Sequence, residues 1–260
     1  MEIFDATTIE VTADGPRGTI MLNRPDKLNP LGAGTLNELI AAARWFDDRP
    51  EVKVVVIGGR GRAFSAGADL AAFVDPDEEA GSAREAADTG RRMADAVEAM
   101  RAVTIARLHG HCVGGGLVLA AASDLRVAAD TVRFSIPEVD LGIPLAWGGI
   151  PRLVREIGPA LTKELVITCR EFSPQEAQAA GFLNRVVTDG ELDAVVQALA
   201  AQVAAKPAMP VIATKRHVNA VTAQMVGTVR AWSDADGLVG GLLDPECGAA
   251  RQDYIKGRGR

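Results

Sequence analysis

Aromatic side chains are scarce in this chain, 4% of residues with a single tyrosine. Alanine and valine fill the apolar positions instead, which suits close packing of helices and strands and names no function. The three cysteines, Cys112, Cys169 and Cys247, are odd in number, widely spaced and without a CxxC pair. They suggest neither a disulfide framework nor a zinc site, and they fit a reducing cytoplasm. The three histidines form no HExxH, so no metal is expected. Basic residues are outnumbered, 28 Lys and Arg against 34 Asp and Glu for a net charge of -6. The global balance therefore argues against nucleic-acid binding. The basic end Lys256, Arg258 and Arg260 reads most simply as a solvated tail. No run approaches the ~18 apolar residues of a membrane span, and Met1–Asp5 lacks the layout of a signal peptide. The expectation is a soluble, cytoplasmic chain with no membrane or nucleic-acid partner.

What is present is a globular composition, 48% hydrophobic over 260 residues, enough for a sizeable core. Length alone does not decide the number of domains. Strand-forming runs occur at Gly18–Leu22, Val52–Ile57, Val103–Leu108, Leu125–Ala128 and Arg185–Val187. The uninterrupted ones suit a sheet buried on both faces. Apolar stripes at helical spacing lie at Leu36–Ala43, Met93–Met100 and Leu192–Val203, and their plain reading is core packing. Strands alternating with helices give an α/β class, and beyond Val187 the pattern is mostly helical. Asp75–Ser82 is polar and turn-rich, either a lid or binding loop or a tolerated surface insertion. The Lys206–Pro210 turn marks a boundary between residues 1–206 and a helical module, 207–260.

Glycines cluster after two of the strands, at Gly58–Gly61 and Gly110–Gly116, and again at Gly148–Gly149. None builds a GxxxxGK phosphate loop, and the run after Leu108 has the wrong spacing for a dinucleotide fingerprint. Glycine at a strand-to-helix turn does let a ligand approach the backbone, where the first helical N–H groups have no internal acceptor. Two such turns facing each other could aim two N–H groups at one oxygen. By themselves the turns could equally be structural.

Several segments carry a more specific signal. Arg62–Leu70 (RAFSAGADL), His109–Gly116 (HGHCVGGG), Phe134–Gly149 (FSIPEVDLGIPLAWGG) and Ser173–Val187 follow one another in order, with Leu22–Asn29 near the start. Together they resemble the enoyl-CoA hydratase/isomerase (crotonase) superfamily over nearly the whole chain, including its Ala-Gly-x-Asp motif, which opens a short helix. The resemblance implies a spiral of ββα repeats with a C-terminal helical trimerisation module, assembled as a homotrimer or a dimer of trimers. It implies a coenzyme A thioester as substrate and no separate cofactor. The CoA moiety would lie near Lys27, Leu28, Ala66, Gly67, Asp69 and Leu70, and the N–H groups of Ala68 and Gly115 would hold the thioester oxygen beside Gly114.

Glu138 matches the family's proton-shuttling glutamate. Its apolar neighbours Ile136, Val139, Leu141 and Ile143 would desolvate it and raise its pKa. Enoyl-CoA hydratases place a second glutamate where this sequence has Val118. With one carboxylate, the simpler chemistry takes a proton from C2 and returns it at C4, as in the Δ3,Δ2-enoyl-CoA isomerases. Dienoyl isomerases would want an acid at Val118 and an aspartate at Ala146. Trp147 either lines the pocket or belongs to the core, and Tyr254 and Lys256 could reach a CoA phosphate or adenine.

Overall fold

The valine-rich run after Pro50 becomes the centre of a sheet. A computed structural model of the chain describes residues 1–69, 80–231 and 233–258. In it, β4 (Val54–Gly59) is buried at every position, as a strand covered on both faces must be. Four more strands, β3 (Arg17–Leu22), β5 (Val103–Leu108), β7 (Leu125–Ala129) and β9 (Arg185–Val187), extend the sheet in parallel on either side of it. Two antiparallel strands complete one edge, β1 (Glu2–Phe4) and β2 (Ile9–Asp14), giving the order β1-β2-β3-β4-β5-β7-β9. The expected strand at Val52–Ile57 begins two residues late, because the Val52 N–H closes a turn onto the Arg49 carbonyl.

A second, smaller sheet pairs β6 (His111–Val113) with β8 (Arg133–Ser135) in parallel. Ser65 joins it through a parallel bridge to Cys112. The main-sheet strands β4, β5 and β7 are thus each followed by a second-sheet segment and then a helix. Those helices are α2 (Ala80–Ala99), α3 (Gly115–Ala121) and α4 (Gly149–Thr168). This repeated strand–strand–helix turn is the spiral that the resemblance implies.

The stripe at Leu36–Ala43 lies in α1 (Ala33–Asp47), where Leu36, Leu39, Ala42, Ala43 and Phe46 are buried. After α5 (Pro174–Ala179), the C-terminal part is helical as read: α6 (Leu192–Ala204), α7 (Ala208–Met225), α8 (Asp234–Leu243) and α9 (Pro245–Arg258). Gly81 and Ser82, expected in a polar loop, fall inside α2, where helix formers such as Ala83, Arg84, Glu85 and Ala86 outweigh them. The rest of that loop, Asp75–Glu79, lies outside the described residues. Helix α8 folds back onto α2, stapled by Arg84 and Asp236 at 2.6 Å. Among the described residues, no single helix is long and apolar enough to cross a membrane.

Candidate active site

Parallel pairing determines what meets what. Ser65, Cys112 and Phe134 stand side by side in three parallel segments, so the chain leaves all three at the same end. Ala68, Gly115 and Glu138 follow within three or four residues of that row. Carboxyl ends of parallel strands are where α/β folds expose ligand sites.

The first turn is held from below. Leu28 and Asn29 adopt left-handed φ angles of 60° and 54°, which turns the buried Asn29 amide toward the 60–64 segment. Its Nδ2 donates to the Ala63 carbonyl at 2.8 Å and to the Arg60 carbonyl at 2.9 Å. The Ala66 N–H donates to the Leu28 carbonyl at 2.9 Å. Gly67 then turns at φ +93°, with a side chain there meeting the Val113 carbonyl oxygen at 2.8 Å, so only glycine fits. Leu31 bridges Ala68 by bonding to residues 67 and 69. In a parallel bridge that pattern points the Ala68 N–H the other way. The freed donor therefore comes from an extended bridge; through Asp69 the backbone does not form the short helix of the family motif. Leu70 lies outside the described residues.

The second turn supplies its donor as the sequence suggests. Gly114 donates to the Ser135 carbonyl at 3.0 Å, and Gly115 opens α3, where a first-turn N–H has no helical acceptor. Neither the Ala68 nor the Gly115 N–H makes a hydrogen bond within the described residues. A Cβ placed on Gly67 would lie 3.5 Å from the Gly115 nitrogen, so the two turns abut.

Glu138 closes the group. Its residue is 8% exposed, and its carboxyl packs on the Gly114 Cα so closely that any Cβ there would collide with Oε1. Oε2 has no hydrogen-bond partner among the described residues. Desolvation pushes the carboxyl up to about 7, only partly offset by its own main-chain N–H. Val139, expected to contribute to this burial, points to solvent at 42% exposure; Ile143, whose N–H holds the Glu138 carbonyl at 3.0 Å, is buried as expected.

These groups share one cavity of about 490 Å³. Of the sequence-derived residues, Ala68, Asp69, Gly115, Val118, Glu138, Ile143, Ala146 and Trp147 line it, with Gly67 and Gly114 directly behind. Trp147 has a left-handed φ of 59°, and its ring lies across Gly115 and Gly90, so it is wall as well as core. The buried Arg152 guanidinium reaches the Gly148 carbonyl at 3.3 Å and the Glu98 carboxylate at 2.5 Å, and Asp234 accepts the Gly148 N–H at 2.8 Å. Asp69 pairs with Arg24 at 3.1 Å. Lys27 sits exposed on the Pro25–Lys27 turn, and Lys256 is exposed near the end of α9; neither lines the cavity. Tyr254 packs in an apolar cluster with Leu238 and Leu242.

The segment before Gly90, expected to shape the pocket as a loop, does so from a helix, with Ala83, Ala86 and Ala87 of α2; Leu238 and Leu242 of α8 are the part of the wall that sequence reasoning missed. The repeat Gly237-Leu238, Gly241-Leu242 carried a signal, since residues four apart share a helix face.

A sequence model of the enoyl-CoA hydratase/isomerase family matches residues 18–235. The chain belongs to the enoyl-CoA hydratase/isomerase family. It is 37% identical to a probable enoyl-CoA hydratase of Mycobacterium tuberculosis, over 82% of this chain and 81% of that protein. It is also 30% identical to a peroxisomal Delta(3,5)-Delta(2,4)-dienoyl-CoA isomerase of Arabidopsis thaliana, over 83% of each. A crystal structure of an enoyl-CoA hydratase/isomerase from Mycobacterium paratuberculosis superposes with a TM-score of 0.88 at 28% identity, over 96% of this chain and 100% of that one. Membership in the enoyl-CoA hydratase/isomerase family makes this an acyl-CoA enzyme, and its relatives carry names of both reactions.

Proposed function

We propose that this family member moves the double bond of an enoyl-CoA, with Glu138 as a single proton shuttle. The observation that carries the reading is the solitary carboxyl. Among the described residues, the only other carboxylate on the cavity is Asp69, which is ion-paired with Arg24. Val118, at the position where hydratases have a second glutamate, is buried and apolar.

The thioester oxygen of a 3-enoyl-CoA accepts from the Ala68 and Gly115 N–H groups. The C2–H bond breaks, its proton goes to Glu138, and the electron pair spreads over a dienolate whose charge rests on that oxygen. Each such donor contributes about 3 kcal/mol to stabilising the charge. Glu138 then delivers the proton to C4, leaving a 2-enoyl-CoA. Moving one proton between two carbons needs one base of intermediate pKa, whereas adding water needs a second group to position it.

Assaying 3-enoyl-CoA and 2-enoyl-CoA side by side tests this. The expected outcome is interconversion of the two with little 3-hydroxyacyl-CoA. Fast water addition to the 2-enoyl thioester would make the protein a hydratase, in line with the names of several relatives. Glu138→Gln should lower isomerisation roughly 10²- to 10⁴-fold, while acyl-CoA affinity stays within a few-fold. The homotrimer reading is part of this proposal; exposed Val218, Val221 and Met225 on α7 support it, since such a stripe is a surface for burial between copies.

A further inference from the structure

The cavity has two unlike ends. Toward α1 it carries Asp69 with its partner Arg24, and exposed Lys27 lies three residues from Arg24 on the same turn. Where α2 and α8 pack together, the described lining is a hydrocarbon arm: Ala83, Ala86 and Ala87 with Leu238 and Leu242. The three alanines lie three and four residues apart, hence on one face of α2. The Trp147 ring lies across Gly90, which continues the same face of α2. The unpartnered, buried Oε2 of Glu138 belongs to the same cavity, so the arm leads from a reacting centre.

We propose that this arm holds the acyl tail, and that the enzyme prefers thioesters of plain hydrocarbon chains longer than four carbons over short acyl groups and over chains bearing a carboxylate. The inference rests on the thioester reading of the site. Four acyl carbons with the carbonyl oxygen and sulfur fill roughly 180 Å³ at the ~30 Å³ a water-sized group takes in a liquid. The cavity, its Asp69 end included, holds about 490 Å³. Additional methylenes would displace water from alanine and leucine surfaces, a gain of about 0.8 kcal/mol each, or roughly fourfold in affinity. A terminal carboxylate would be stripped of water with nothing to pair with among the described lining residues of this arm.

Binding of saturated acyl-CoAs of four, six, eight and ten carbons, measured by calorimetry, tests the arm without any chemistry. Affinity should rise about fourfold per methylene before levelling, and an eight-carbon acyl group ending in a carboxylate should bind at least tenfold more weakly than the plain chain. Ala87→Trp should flatten the rise, and the milder Ala83→Val should end it at a shorter chain. Equal affinity across the wild-type series, or no penalty for the carboxylate, would overturn the proposal while leaving the thioester site intact. No binding of any acyl-CoA would instead defeat the thioester reading.

Discussion

Glu138 is kept where its charge is unwelcome, and that has opposite effects on activity and stability. With its carboxyl raised to about 7, the base form is lost in acid. The expected profile of kcat/KM therefore falls tenfold per pH unit below about 7 and is flat above it. Stability runs the other way. Between an unfolded value of 4.5 and the folded value of about 7, the unfolded chain has released a proton that the folded protein keeps. Folding is consequently disfavoured progressively from pH 4.5 to 7, by up to about 3 kcal/mol. Glu138→Gln should thus melt several degrees higher than the wild type at pH 8 and gain nothing at pH 4. An equal shift at both pH values would mean that burial of the charge is not the cause. Little of this was legible locally, because a glutamate after a proline in a loop is ordinarily exposed. Its burial comes from Gly114, twenty-four residues away, a contact nothing in the sequence indicated, and from Ile143 folding back, one of the apolar neighbours expected to desolvate it. Nor did proximity in sequence predict Val139, which faces solvent.

At the scale of elements, α8 shows how close packing sets a wall. Gly241 approaches the Gly142 carbonyl so nearly that a Cβ would lie 2.8 Å from it, whereas Gly240 faces open space. Neighbouring substitutions should therefore have opposite signs. Gly240→Ala gains helix propensity and should stabilise by up to about 1 kcal/mol. Gly241→Ala must push α8 off the 142–144 loop and should lower the melting temperature and weaken long-chain acyl-CoA binding. Thermal melts of both variants check this. The elements legible in the sequence were those with strong internal patterns: the buried strands and the stripes of α1, α2 and α6. Three-residue strands such as β6 and β8 have too little sequence to show a period, and β2 alternates buried with half-buried positions. The second sheet exists because its segments find each other across the fold. Since that sheet aligns Ala68, Gly115 and Glu138, the geometry of the site was the least legible part, while its residue types were the most.

The whole molecule is drawn together around α2. Arg152, fully buried, joins Asp95 and Glu98 of that helix to the Trp147–Gly148 turn. Arg155 shares Glu98 at 2.6 Å, and the carboxyl of Glu98 is lowered despite its burial by these two guanidiniums. Removing the central cation should cost about 3 kcal/mol, the lower end for a broken buried pair, because Asp95 keeps Arg91 and Glu98 keeps Arg155. Urea unfolding of Arg152→Met checks this. An unchanged midpoint would show that α2 and α4 do not depend on the network.

The two free N–H groups belong to the main chain, and heredity acts on side chains. Replacing Ala68 by any residue but proline leaves its donor in place, so the anion-holding half of the proposed chemistry is hard to lose by single substitutions. The proton-moving half hangs on one replaceable glutamate and on whatever stands at position 118. Under the proposed mechanism, a scaffold divided in this way can exchange one reaction for another while keeping the same charged intermediate, with position 118 as the place of exchange.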